Sequence, residues 1–132
     1  MSGLVRPARV AFVVVAWLFA LSTVLMVYLA GLGVFQSRAD FITHRDVGYL
    51  IGVLPLLMLI LALVGRRPRS IMDASAVLVV LMVLQSLFVF MRTDAPLFAA
   101  LHPVNGFVIA GLAIAVAWVA RRHVAAPVAT EA

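Results

Sequence analysis

Four stretches of the chain are almost continuously apolar, and short polar segments divide them. The first runs from Val10 to about Phe35, the second from His44 to Val64, the third from about Ile71 to Met91, and the fourth from roughly Pro103 to Ala120. A helix needs about 20 residues to cross the ~30 Å hydrocarbon core of a bilayer, so each run predicts one membrane span. The first run is too long for the roughly 7–15-residue apolar segment of a secretory signal, which predicts an uncleaved first span. Gly31 and Gly33 near its far end suit close helix approach. Pro55 lies inside the second run and removes one backbone hydrogen bond, predicting a mild kink. Gly65-Arg66-Arg67-Pro68-Arg69-Ser70 ends that run abruptly. Pro103 suits a first helical turn, where its missing N–H costs nothing. Connections of about ten residues or fewer favour antiparallel neighbours. The expected fold is an all-α membrane protein, an up-down-up-down four-helix bundle over residues 1–122, with residues 123–132 as a disordered tail.

Composition turns this pattern into a class. Hydrophobic residues make up 66 % of the 132 positions and charged residues 11 %, against roughly 45–50 % and 25 % in average globular chains. The solvent of this protein is the lipid bilayer. Its net charge of +5 does not mark a nucleic-acid surface, because all ten cations are arginines at the ends of apolar runs. Seven of them (Arg6, Arg9, Arg66, Arg67, Arg69, Arg121 and Arg122) belong to one side, and Arg38, Arg45 and Arg92 to the other, offset there by Asp40, Asp46 and Asp94. Positive charge accumulates on the cytoplasmic side, so both termini are expected in the cytoplasm.

Two absences narrow the chemistry. Cysteine does not occur, which excludes disulfides, thiolate cluster ligation and covalent haem attachment. No Asp, Glu, Lys or Arg falls in the middle of a span, and no metalloprotease, serine–histidine or phosphate-cradling motif occurs. A charged proton relay, a hydrolase and an ATP-driven activity are therefore not expected.

What remains is a motif present twice, His44-Arg45-Asp46-Val47-Gly48 and His102-Pro103-Val104-Asn105-Gly106, offset by 58 residues. Positions i and i+4 share a helix face, so each histidine has bare backbone beneath it. Both open spans that begin on the same side, and spans two and four lie diagonally across a ring of four. A flat macrocycle fits such a gap with one imidazole on each face. His44 and His102 are thus candidate axial ligands of one haem b held non-covalently. Gly48 and Gly106 would let the ring lie against backbone. Arg38, Arg45 and Arg92 are placed to pair with propionates, and Gln85 to hydrogen-bond the cofactor or a ligand. Met26, Met58, Met72 and Met82 are expected as core filling, and His123 as a solvated residue beside the arginines. A lone histidine at a helix end is more often interfacial than ligating. Two at one depth, each with its glycine, favour ligation.

These residues carry a resemblance. Histidines opening the second and fourth of four spans resemble one half of haem A synthase, a family built from two four-helix halves whose paired histidines hold haem. The stretch Tyr28–Gln36, with His44, Gly48, Gln85 and Leu101–Gly106, is also similar to a family of uncharacterised four-helix membrane proteins of actinobacteria. The resemblance implies haem ligands at His44 and His102 in a bacterial plasma membrane. One half with one site implies a carrier of single electrons or a haem-holding subunit rather than methyl oxidation. Its partners would be a quinone or a larger redox or respiratory membrane complex, not nucleic acid. The competing expectation is a cofactor-free structural or assembly subunit, in which Phe35, Phe88, Phe107 and leucines fill the diagonal gap. A small-molecule carrier is the third.

Overall fold

The computed structural model describes residues 2–123, so the tail expected beyond that point lies outside the described residues. Helix α1 spans Ser2–Phe35, and a 3₁₀ turn follows at Arg38–Asp40. The second crossing consists of α2 (Phe41–Ile51) and α3 (Leu54–Val64). The third is α4 (Arg69–Phe90), and the fourth combines a single turn, α5 (Pro96–Ala99), with α6 (Leu101–Arg122). Four helical segments are long and apolar enough to cross a membrane: Gly3–Phe35, Arg38–Val64, Arg69–Phe90 and Pro96–Arg122. The protein is an all-α four-helix membrane protein.

The helices neighbour one another in a ring: α1 packs on α3 and α6, and α4 packs on the same two. Spans two and four are therefore diagonal. The break between α2 and α3 falls at Gly52 and Val53, just before Pro55. Proline's ring collides with the carbonyl four residues back, here Ile51, and offers no N–H to it, so the helix opens at that turn.

Packing is uneven along the bundle. Phe12, Phe19, Met58 and Leu78 are fully buried, interleaved with Ala16, Ala62, Ala113, Ala117 and Ala120. Small residues bring backbones together where lipid gives no hydrophobic drive for helices to associate. This core fills the arginine-rich end and the middle. At the opposite, histidine-bearing end, α2 and α5 bury no residue. There α2 lies against α1 and the 3₁₀ turn and forms no comparable face with α4 or α6.

Two arginines fasten the tight end. Arg9 Nε donates to the Gly65 carbonyl at 2.9 Å, where α3 stops. Arg67 donates to the carbonyls of Ala120 (3.1 Å) and Arg9 (3.0 Å), and its guanidinium lies 5.0 Å over the Phe12 ring. Helix ends leave carbonyls unpaired and carry partial negative charge, so the bonds to Gly65 and Ala120 act as caps, while the bond to Arg9 ties the loop to α1. Burial, and then the charge of Arg9, lower the proton affinity of Arg67, which still stays a cation because an arginine starts so high. The apolar pattern marked Arg9 only as a flank of the first span; its helix starts earlier and buries it.

Candidate functional site

At the loose end the two histidine motifs meet. His44 sits in the first turns of α2 and His102 in the first turn of α6, both half-buried. Their ring centroids are 6.2 Å apart with planes crossing at 67°. The imidazoles thus stand edge to face, bringing the starts of the diagonal helices α2 and α6 together.

Each ring is aimed by a carbonyl of the preceding span. His44 Nδ1 lies 3.0 Å from the Met26 carbonyl oxygen, and His102 Nδ1 lies 3.1 Å from that of Gln85. A carbonyl oxygen can only accept, so Nδ1 carries the proton and a neutral ring keeps its lone pair on Nε2. A second chain of bonds reaches the same tautomer at His102. Asn105 Nδ2 donates to the Leu81 carbonyl at 2.9 Å and to Gln85 Oε1 at 2.6 Å. With its oxygen committed, the Gln85 amide turns its NH₂ toward His102 Nε2, 3.4 Å away. That nitrogen must then be the acceptor.

The internal repeat runs deeper than the motif. A Cβ on Gly106 would come 3.3 Å from Gln85 Nε2, and one on Gly48 would come 3.1 Å from Met26 Cε. Met26 therefore holds in the first half the place of Gln85 in the second: its carbonyl aims the ring and its side chain covers the glycine. Nothing in the pattern of apolar residues distinguishes Met26 from other core methionines, and Asn105 stood inside the motif without a role. The near-equal spacing of the two pairs, 18 residues from Met26 to His44 and 17 from Gln85 to His102, was the available signal.

With Nδ1 committed to a carbonyl, each imidazole in its neutral form leaves an Nε2 lone pair that could serve as a nitrogen donor. Metal–nitrogen bonds of about 2.0 Å, plus roughly 1 Å from each nitrogen to its ring centre, put the centroids of two coaxial imidazoles about 6 Å apart. The observed 6.2 Å is of that size. No third histidine, cysteine or carboxylate joins them among the described residues. A bare ion that needs four protein ligands lacks its set, whereas a metal bringing its own equatorial ligands does not. The flexible ends of Met26 and Gln85, which lie over the glycines, are the groups that such a ligand would displace.

Residues 26–93 match a family of unknown function, DUF6220. The chain belongs to this family. The matched segment includes Met26, His44, Gly48 and Gln85 and stops short of His102. No curated protein matches the chain, and no solved structure does.

In this DUF6220 chain the three arginines of the histidine end lie at the surface. Arg45 is paired with its neighbour Asp46 at 2.8 Å. Arg92 Nη1 donates to the Val89 carbonyl at 3.3 Å, and Arg38 is exposed as the first residue of the 3₁₀ turn. None of them touches the imidazoles. Of the side chains expected to fill the diagonal gap in a cofactor-free bundle, Phe35 and Phe107 are instead 91 % and 71 % exposed, while Phe88 is half-buried. His123 closes α6 at the opposite end of the bundle.

Proposed function

We propose that this protein is a small membrane haem protein, with one haem b held non-covalently between His44 and His102, that passes single electrons or serves as the haem-holding subunit of a redox complex. The observation that carries this reading is the close pair of imidazoles, 6.2 Å between centroids, each held through Nδ1 by a backbone carbonyl. Anchoring the far ring nitrogen in this way fixes the tautomer and the orientation of a ligating histidine. His44 and His102 would hold the haem, which would supply a reversible one-electron couple rather than a site for substrate. Gly48 and Gly106 would give the ring access to backbone on both sides, and Arg38, Arg45 and Arg92 lie at the surface where propionates would emerge.

In this reading the seven-arginine end faces the cytoplasm of a bacterial plasma membrane, and the haem lies near the outer face, within reach of a quinone or a respiratory partner. The likeness to one half of haem A synthase supports the ligand pair but not its oxidation chemistry. A cofactor-free assembly subunit is the second reading, favoured by the contact Gln85 already makes with His102 Nε2. Oxidised and reduced absorption spectra of the detergent-purified protein from haem-replete cells separate the two. One haem per chain with a low-spin spectrum, lost in His44→Ala and in His102→Ala, is the expected result. A colourless protein overturns the proposal.

A further inference from the structure

The arginine-rich end holds a feature that the haem reading does not use. Five of its seven arginines are engaged: Arg9 and Arg67 on carbonyls, Arg69 on Asp73 at 2.9 Å, and Arg121 and Arg122 over Trp118. The Arg6 and Arg66 guanidinium groups have no partner among the described residues. Arg66 forms the polar rim of a groove whose other walls are Leu4 and Val5 of α1 and Leu63 and Val64 of α3. The groove lies at the adjoining ends of the first two spans, Gly3–Phe35 and Arg38–Val64. Arg66 is also the one non-glycine residue with positive φ, 47°, among the described residues. Helices usually end in that conformation with glycine, yet here the glycine, Gly65, comes one position earlier. An arginine is kept where a residue without a side chain would sit more easily.

We propose that this groove is a binding site for an anionic phospholipid, with an acyl chain against Leu4, Val5, Leu63 and Val64 and the phosphate on Arg66. Charge complementarity decides for a lipid that is anionic, since the groove lining holds one arginine and no acidic residue. Four apolar walls at the membrane boundary decide for a lipid over a free anion. Basic pockets between membrane helices recognise anionic headgroups in this way.

Native mass spectrometry of the purified protein with phosphatidylglycerol or phosphatidylcholine of identical chains tests this directly. The wild type should retain phosphatidylglycerol about fivefold more, the factor expected from one arginine near an anionic headgroup. Arg66→Gly, which relieves the backbone and should fold at least as well, should abolish the preference, while Arg121→Ala should keep it. Val64→Trp, which fills the groove but leaves the charge, should lower retention of both lipids. Added inorganic phosphate should not compete. Equal retention of the two lipids by the wild type, an unchanged preference in Arg66→Gly, or displacement by phosphate would each overturn the proposal.

Discussion

Asn105 donates its amide nitrogen to two acceptors, the Leu81 carbonyl and Gln85 Oε1, and through the second bond it fixes which way the Gln85 amide faces. The His102 tautomer follows from that orientation. Replacing Asn105 with leucine keeps the approximate volume and removes both bonds. Hydrogen bonds between membrane helices average about 0.6 kcal/mol each, so the fold should lose only about 1 kcal/mol. The larger effect belongs to His102. Once the Gln85 amide is free to turn, its oxygen can face Nε2 and draw the proton there. Nitrogen-15 NMR of the cofactor-free protein should show both rings protonated at Nδ1 in the wild type. In Asn105→Leu a mixture is expected for His102 alone, with His44 unchanged because its partner is the Met26 carbonyl. A pure Nδ1 tautomer at His102 in the variant would show that Asn105 does not act through Gln85.

At the scale of elements, the position of His44 depends on how α2 meets the end of α1. Gly33 is buried, and a Cβ there would stand 2.8 Å from the Phe41 ring, which in turn stands edge-on to His44 at 6.4 Å. Gly33→Ala must push Phe41 and with it the first turn of α2. Overpacking of this kind costs about 1–3 kcal/mol, and thermal unfolding together with haem occupancy should both fall. Gly31→Ala is the control, because nothing lies within 4 Å of a Cβ there, and replacing glycine in a helix favours folding by up to about 1 kcal/mol. The two glycines looked alike in the sequence as packing devices, and the structure separates them. The four crossings were legible because bilayer thickness imposes a run length that composition alone reveals. The α2–α3 break was legible because Pro55 acts through its own backbone. The Arg9–Gly65 and Arg67–Ala120 bonds join positions far apart in the chain, and no local pattern registers such a contact. Met26 escaped for the same reason: its carbonyl does the aiming, and a carbonyl belongs to every residue.

On the scale of the whole molecule, the two ends of the bundle differ in kind. Alanine seams, large buried side chains and an arginine clasp close one end, while at the other α2 leans on α1 and meets the fourth span mainly through two imidazoles standing edge to face. Local opening energies follow local packing, so the loose end should open well before the whole fold does. Hydrogen exchange in detergent should find fast amides in α2 and α5 and slow ones in α3, the first half of α4 and the second half of α6. A ligand that joins α2 to α6 must oppose that opening. At a free concentration a hundred times its Kd it adds about 2.7 kcal/mol to the opening energy, which slows exchange about a hundredfold in the segment it holds. Haem addition should therefore slow exchange at Phe41–Ile51 and leave the arginine end unchanged, and His44→Ala should cancel the effect. Uniform exchange along the bundle before haem is added would contradict the packing argument. Uniform protection afterwards would mean that the cofactor binds somewhere other than between these two helices.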